Sequence, residues 1–189
     1  MDELKSLGLS KTEREYMSTE LKESKWVFTN NAGVFTFVCI VENLKDCKGR
    51  EAVRKHGFSV YEVAKTKCKD LTIISKHGTA VELFAEGLPL SSYRFEKYLS
   101  KERKEKVALT KVTTTNQDAD LKSVTSIVDA TAWSRDLVNE PLSYLTATQF
   151  SEDIKEKCEK AGVKVEIFKK AKIESLKMGG LLAVNKGSI

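Results

Sequence analysis

The sequence contains no apolar run that approaches the ~20 residues needed for a membrane-spanning helix. Met1 is followed by Asp2, Glu3, Leu4 and Lys5, not by the basic and then apolar segments of a secretory signal. We therefore expect neither a membrane span nor secretion.

Cysteine is scarce, and its four positions form no C-x-x-C pair. Two of them lie within apolar runs or faces, where reduced thiols pack as small hydrophobic groups. This usage fits a reducing, cytoplasmic compartment best. The four residues are Cys39, Cys47, Cys68 and Cys158.

The sequence also lacks a segment in which charges of one sign are concentrated. The chain has 32 Lys and Arg against 27 Asp and Glu, a net charge of +5, but the two signs alternate, as in residues 101–106. A nucleic-acid surface needs basic residues of one sign. We predict a solvated surface of mixed charge and no nucleic-acid partner.

The chain that remains has an ordinary globular composition. Of its 189 residues, 41% are hydrophobic and 31% are charged. This length fits one domain, or one small domain and part of another.

The first 41 residues predict a helix followed by a hairpin. Ser10 and Glu13 form a capping box, which predicts a helix over residues 11–22. Residues 26–29 and 34–41 are rich in β-branched and aromatic side chains and flank the turn-prone segment Asn30–Gly33. Because the second strand is apolar on both faces, we expect it to be central in its sheet.

The next segment predicts a helix and a strand. A short helix over residues 50–55 should end at His56 and Gly57, because glycine is a common helix terminator. Residues 58–64 fit a helix or a strand, and we favour a helix. Residues 71–75 predict a short buried strand.

A second capping box, Thr79 with Glu82, predicts the start of a helix that reaches toward Tyr98. Pro89 should kink or divide this helix, because proline removes a backbone donor. A weak strand is predicted over residues 107–113.

A polar linker is predicted over residues 113–118, which contain little that packs. Asp118 or Asp120 can cap the helix that follows. This helix should end at residues 139–140, before Pro141.

The last part of the chain predicts an incomplete α/β layer. Thr146 and Gln149 form a third capping box, and Gly162 should end that helix. Two short strands and two helices in about 70 residues cannot bury both faces of a sheet, so we expect a truncated second domain. The later elements are a strand over residues 163–167, a helix over 173–178 and a strand from 181 to 184.

Few residues are candidates for chemistry. His56 and His77 each precede a glycine, so we expect turn or cap roles for both instead of metal ligation. The nucleophile-elbow, zinc-protease, P-loop and dinucleotide-binding motifs do not occur. Gly179-Gly180 is better explained as a tight helix-to-strand turn than as a phosphate-binding loop.

Asp118 and Asp120, with Asn116 nearby, could hold a hard cation, but helix capping explains them better. Cys158 lies on an apolar helix face without a neighbouring base, which indicates a buried structural thiol and not a nucleophile. The residues alone therefore provide no complete catalytic set. They indicate a two-part cytosolic α/β protein.

Three segments carry a resemblance to a known family. They are Ala85–Tyr98, Arg135–Pro141 with the following Leu145 and Thr146, and Lys177–Ser188. In this order they resemble the segment that closes the N-terminal domain, the junction that opens the catalytic domain, and the M-G-x-x-x-x-V-x-K-G-S stretch of the leucyl (cytosol) aminopeptidases, the M17 metallopeptidase family.

The resemblance implies a fold and an activity. It implies a mixed-sheet, macro-domain-like α/β domain over residues 1–117, a linking helix over 118–140, and an incomplete peptidase domain over 141–189. The complete enzyme would be a homohexamer that releases N-terminal residues, often leucine, from peptides. In that family two zinc or manganese ions share an activated water and polarise the scissile carbonyl.

The sequence departs from the family in one respect. The family's metal ligands and catalytic basic residues lie in later motifs, which resemble V-G-K-G-x-x-F-D-[ST]-G-G and N-T-D-A-E-G-R and do not occur in residues 1–189. Residues 116–120 are only superficially similar to the second of these motifs. The resemblance therefore assigns no catalytic, cofactor-binding or metal-binding residue here, and we expect this chain alone to be inactive.

Two other functions remain open. A macro-like domain could bind ADP-ribose or a nucleotide without catalysis, and Asn30–Gly33 is the only segment that suggests such a loop. The chain could also serve in assembly or regulation. In the family the N-terminal domains decorate a homohexamer, so the resemblance implies that the chain self-associates or pairs with full-length subunits. Apolar surface left uncovered by the missing sheet would favour non-specific association over a defined hexamer.

Overall fold

The computed structural model describes residues 7–187, which form a mixed α/β structure. None of the described helices combines the length and the apolarity needed to cross a membrane. The strands are β1 (Trp26–Asn31), β2 (Val34–Cys39), β3 (Asp70–Ile73) and β4 (Lys111–Thr114). The helices are α1 (Lys11–Glu20), α2 (Cys47–Ala64), α3 (Gly78–Ser92), α4 (Leu121–Asn139), α5 (Ala147–Lys160), α6 (Lys170–Ser175) and α7 (Gly179–Val184), with 3-10 turns at Lys101–Arg103 and Asn185–Gly187.

The chain divides into two compact units, Met1–Asp136 and Leu137–Ile189. Among the described residues, the first unit contains all four strands and every fully buried hydrophobic side chain. Helices α5, α6 and α7 of the second unit have no buried residue. The three-part division predicted at residues 117 and 140 stays a prediction.

Helix α1 begins at the predicted capping box. The Glu13 backbone N–H donates to Ser10 Oγ at 3.2 Å, and the Ser10 backbone N–H donates to Glu13 Oε2 at 2.9 Å. Met17 of this helix is fully buried and packs with Leu9 and Val27. The amphipathic helix therefore covers one face of the hairpin.

The predicted hairpin is confirmed. Strands β1 and β2 pair antiparallel, from Trp26 opposite Cys39 to Asn31 opposite Val34. The two-residue turn has positive φ at Ala32 (48°) and Gly33 (89°), as a type I′ turn requires. The hairpin turn explains this segment more simply than the alternative of a nucleotide-binding loop.

The expectation that β2 is central in its sheet is wrong. Within residues 7–187, β2 pairs with β1 alone, and β3 pairs with β4 alone in a parallel sheet. The apolar residues of β2 are used on its two faces instead. Val38 packs toward α1, and on the other face Phe37 stacks on Phe28 with ring centroids 5.6 Å apart.

Helix α2 does not stop at His56 and Gly57, as the sequence predicted. It continues to Ala64, which confirms the favoured helical alternative for residues 58–64. A Cβ atom on Gly57 would lie 2.5 Å from the Phe84 carbonyl oxygen of α3. The glycine therefore permits close approach of two helices and does not end one.

Helix α3 begins at Gly78, with His77 as its N-cap residue and no side-chain cap. The capping box predicted for Thr79 and Glu82 is wrong, because Glu82 Oε1 instead accepts a hydrogen bond from the Asp120 backbone N–H at 2.8 Å. Pro89 lies inside the helix and does not divide it. The core between α2, α3 and β3 contains Tyr61, Ile73, Val81, Ala85 and Leu88.

The segment 113–118 is not an unpacked linker. Its first two residues belong to β4, which confirms part of the weak strand predicted over residues 107–113. The Asn116 side-chain amide donates to the Ser75 carbonyl oxygen at 2.9 Å. This bond ties the segment to the end of β3.

The predicted strands of the second unit do not form. Residues 163–169 have no regular structure, and residues 179–184 form α7 in place of a strand. A strand needs a partner for its backbone groups, and the described residues of this unit contain no other strand. The helix predicted after Thr146 forms as α5, which Thr146 caps and which ends at Lys160. The predicted capping box is wrong in its second half, because the Gln149 side chain donates to Asp153 Oδ1 at 2.7 Å. The helix predicted over residues 173–178 forms three residues earlier, as α6.

Candidate functional site

Two of the segments singled out by the resemblance contact each other. Arg135 of α4 donates from Nη1 to the Leu90 carbonyl oxygen at 2.9 Å, and its guanidinium carbon lies 5.3 Å from the centroid of the Tyr93 ring. The Tyr93 hydroxyl donates to Asp136 Oδ1 at 2.8 Å. These bonds hold the end of α3 against α4, so the polar groups of the junction motif have a positioning role here.

The third segment, Lys177–Ser188, is largely exposed. Gly179 and Gly180 begin α7, so the predicted helix-to-strand turn is wrong at this point. Leu181 is 58% exposed and Val184 is 86% exposed. Ser188 lies outside the described residues.

The two histidines differ in environment. His77 lies at the N-cap of α3, as predicted for an element end. His56 is buried within α2, so the predicted turn or cap role is wrong for it. Its Nε2 lies 3.1 Å from the Ile40 carbonyl oxygen and must donate, since a carbonyl only accepts. Burial lowers the pKa of His56 below its ordinary value, which the Ile40 carbonyl and the Glu42 carboxylate oppose.

Of the two aspartates near α4, Asp120 serves as the cap, as predicted for Asp118 or Asp120. Asp120 accepts from the Ser123 backbone N–H at 3.0 Å and from the Ser123 hydroxyl at 2.6 Å. These bonds lower the pKa of Asp120. Asn116 Oδ1 accepts from the Asp118 backbone N–H at 2.8 Å, an Asx turn that leads into the cap.

Cys39 and Cys158 lie in surroundings that are typical of structural thiols. Burial raises the pKa of Cys39 to about 12, so this thiol stays protonated at neutral pH. Cys158 is only half-buried on α5, which corrects the prediction of a buried thiol.

The described residues do not fit a metal site. No group of three or more His, Cys, Asp or Glu side chains in residues 7–187 is arranged to hold an ion. A two-metal centre needs clustered donors of this kind.

Sequence reasoning missed a groove that lies between β2 and β3. It has a volume of about 1330 Å³ and is lined by residues 33–41 and 67–77 together with side chains of α2 and α3. The prediction that β2 is central in its sheet left no room for an open groove beside this strand. Apolar patterning shows which faces of a strand are buried, but it does not show whether both of its edges are paired.

Comparison with known proteins identifies a family through the end of the chain, which includes the second unit. The profile described as the cytosol aminopeptidase family, catalytic domain, matches residues 132–189. A probable cytosol aminopeptidase of Chloroherpeton thalassium is 59% identical over 63 residues, which are 33% of this chain and 12% of that protein.

Longer matches extend into the first unit. A probable cytosol aminopeptidase of Sulfurihydrogenibium sp. is 29% identical over 183 residues, 88% of this chain and 36% of that protein. One of Clostridium tetani is 36% identical over 126 residues, 60% of this chain and 25% of that protein. The chain thus spans between 12% and 36% of the length of these relatives.

Two solved structures share the fold. A tomato leucine aminopeptidase mutant superposes with a TM-score of 0.70 at 18% identity, over 99% of this chain and 39% of that one. The bottromycin maturation enzyme BotP superposes with a TM-score of 0.66 at 23% identity, over 86% of this chain and 37% of that one. At these identities the likeness shows the fold alone.

Proposed function

Because the chain belongs to the cytosol aminopeptidase family, the M17 metallopeptidases, we propose that it is the amino-terminal part of a leucyl-type metalloaminopeptidase. The observation that carries this proposal is the match of residues 132–189 to the catalytic domain of the family. The activity belongs to a longer protein, since the relatives extend well beyond the matched residues.

In this proposal residues 1–117 form a macro-domain-like N-terminal domain, residues 118–140 a linking helix, and residues 141–189 the start of the catalytic domain. Helix α4, at Leu121–Asn139, lies within the proposed linking helix. Within residues 7–187 the antiparallel pair β1–β2 and the parallel pair β3–β4 form two separate sheets, so the proposed mixed sheet requires these two pairs to join. Tyr93 and Arg135 are positioning residues that hold α3 and α4 together.

The complete enzyme would release N-terminal amino acids, leucine among them, from peptides in the cytoplasm as a homohexamer. Two divalent ions, zinc or manganese, would supply an activated water and polarise the scissile carbonyl. One structure of BotP is described as a complex with Mn, which supports a divalent metal in this fold. The described residues offer no cluster for these ions, so we propose that the chain by itself is inactive.

The alternative of a nucleotide-binding module has less support. The matched proteins are aminopeptidases, and segment Asn30–Gly33 forms a hairpin turn in which the Gly33 N–H donates to Asn30 Oδ1 at 2.9 Å.

The first experiment uses the 189-residue chain alone. Its bound metal is measured by mass spectrometry, and its hydrolysis of leucine p-nitroanilide is compared with that of a full-length relative. We expect no stoichiometric metal and no turnover above buffer. Hydrolysis at the rate of the relative would contradict the proposed inactivity.

The second experiment tests the family function itself. The chain replaces the matched portion of the full-length Sulfurihydrogenibium relative, and the chimera is assayed with the same substrate. We expect aminopeptidase activity, because residues 132–189 would complete the catalytic domain. A control chimera with residues 177–187 in scrambled order should lose that activity. Equal rates for the two chimeras would refute a role for this segment in the peptidase.

A further inference from the structure

The longest exposed run of the described chain lies between α3 and β4. Residues 97–108 are exposed without interruption and include the 3-10 turn at Lys101–Arg103. Four of these residues are basic and form no ion pair within residues 7–187. We call them the loop cations, and they are Lys101, Arg103, Lys104 and Lys106.

The carboxylates of the same loop are not available to neutralise these cations. Glu105 is held by Lys65 Nζ at 3.0 Å and by Arg94 Nε at 3.1 Å. Glu102 stays exposed, and a hydrogen bond from the Ser100 side chain lowers its pKa. The two signs alternate along residues 101–106 of the sequence, but the folded chain presents four cations to solvent against the single carboxylate of Glu102.

The basic surface continues at the first residues of β3 and β4. Lys111 donates its backbone N–H to the Lys69 carbonyl oxygen at 3.3 Å, so the two residues are neighbours. Both are exposed and neither forms an ion pair within the described range, while Asp70 is the carboxylate beside them. Positive charge therefore predominates around the loop as well as on it.

Apolar side chains flank the loop cations on both sides in the sequence. Tyr98 is 58% exposed, Leu99 is 40% exposed, and Val107 is 39% exposed. Tyr98 packs edge-on against Phe95, with ring centroids 5.8 Å apart, and Lys97 Nζ lies 5.5 Å from the centroid of the Tyr98 ring. The loop thus combines unpaired cations with an interfacial aromatic residue and two exposed aliphatic residues.

This combination selects among anionic partners. A nucleic acid would pair with the cations, but it would leave Leu99 and Val107 without contacts, and a base would compete with Lys97 for the Tyr98 ring. A second copy of a chain with net charge +5 would be repelled. An anionic bilayer offers negative headgroups to the cations and an interface in which Tyr and Leu side chains are stabilised.

We propose that residues 97–107 dock the protein reversibly on the surface of a bilayer that contains anionic phospholipids. The loop cations lie against the headgroups, and Tyr98 and Leu99 enter the interface between headgroups and acyl chains. The contact is peripheral. This inference is independent of the proposed peptidase function.

The test measures co-sedimentation of the 189-residue chain with lipid vesicles at physiological ionic strength. Vesicles of phosphatidylcholine alone are compared with vesicles in which roughly 30% of the lipid is phosphatidylserine. We expect at least about tenfold stronger binding to the anionic vesicles. Binding should weaken as salt is added, because salt screens the charges. Hydrogen exchange of residues 97–107 at short labelling times should slow when anionic vesicles are present.

Two triple variants separate the charge of the loop from the charge of the whole chain. Each basic residue near an anionic surface contributes about fivefold to affinity, so loss of three loop cations should weaken binding about 100-fold. The loop variant carries Lys101→Gln, Lys104→Gln and Lys106→Gln. The control makes the same change at three exposed lysines outside the loop and should stay within about threefold of the unchanged chain. The control residues are Lys22, Lys45 and Lys55.

A single variant tests the apolar part of the contact. Tyr98→Ser should weaken vesicle binding about fivefold and should do so at high salt as well, because salt does not screen apolar contacts. Tyr16→Ser is the matched control, since Tyr16 is 48% exposed on α1. This control should leave vesicle affinity unchanged.

Several results would overturn the proposal. Equal affinity for neutral and anionic vesicles would exclude recognition of the headgroup charge. Equal losses in the two triple variants would reduce the interaction to net charge. Absence of saturable vesicle binding would refute docking outright. Tighter binding of a single-stranded oligonucleotide or a glutamate-rich peptide than of vesicles, with Tyr98→Ser having no effect, would assign the loop to a different polyanion.

Discussion

The substitution Gly87→Ala tests the close packing of α2 on α3. A Cβ atom added at this position would lie 2.2 Å from the carbonyl oxygen of Arg54 and 2.9 Å from its carbonyl carbon. Both are backbone atoms of α2, so no side-chain rotation relieves the overlap. The helices must separate until the contact exceeds 3.0 Å, and core residues such as Leu88, only 2% exposed, lose contacts.

Two opposing terms set the magnitude. Replacement of a helical glycine by alanine favours the helix by about 1 kcal/mol. Overpacking against backbone costs about 3 kcal/mol, the upper part of the usual range, because the obstacle cannot rotate away. The net result is a loss of about 2 kcal/mol. At roughly 4 °C per kcal/mol for a domain of this size, the melting temperature should fall by about 8 °C.

Urea unfolding followed by circular dichroism at 222 nm measures this change. Gly180→Ala is the matched control, because it makes the same substitution at a helical position where a Cβ atom meets nothing within 4 Å. We expect the control to be neutral or slightly stabilising. An unchanged or raised midpoint for Gly87→Ala would refute the close approach of the two helices.

Three further outcomes are expected. Ser10→Ala should destabilise α1 by about 1 kcal/mol and speed its amide exchange, whereas Ser134→Ala inside α4 should have little effect; equal effects would contradict the cap. Cys39 in the folded protein, with its pKa raised from 9.0 to about 12, should resist a thiol reagent that modifies the exposed Cys47. The folded state should lose stability as the pH rises between these two values, because the unfolded chain releases the thiol proton first. Rapid labelling of Cys39 in the folded protein would contradict its burial. The pKa of His56 is lowered in the folded state, chiefly by burial, so the unfolded chain takes up the proton first and stability should fall as pH drops below 6.5; His56→Gln should flatten this dependence, and an identical pH profile for the variant would exclude His56 as the source.

Tertiary structure decided the roles of residues whose partners are distant. His56 and Gly57 have the local pattern of a helix end, yet α2 continues through them to Ala64. Gly57 instead packs closely against the backbone of α3. Glu82 sits at a capping-box position, but it accepts a hydrogen bond from Asp120, 38 residues away. In both cases a contact made on folding outweighs the local preference, and no pattern of neighbours could reveal it.

The candidate sites divide in the same way. The sequence identified the segments Ala85–Tyr98 and Arg135–Pro141 by resemblance, but only the folded chain shows that Tyr93 and Asp136 are hydrogen-bonded across them. The groove between β2 and β3 was missed for a physical reason. Side-chain patterning reports the burial of strand faces, whereas the pairing of a strand edge depends on backbone groups that every residue except proline carries alike.

The amino-acid sequence by itself determined the features that depend on residues within a few positions of each other. The reciprocal cap at Ser10 and Glu13, the Asp120 cap and the hairpin turn at Ala32 and Gly33 all follow from short-range hydrogen bonds and allowed φ values. Which strands pair, how closely helices pack and which thiol is shielded from water were decided only by tertiary structure. These features depend on the arrival of atoms from elsewhere in the chain, and the free energy of those contacts is set by the whole fold.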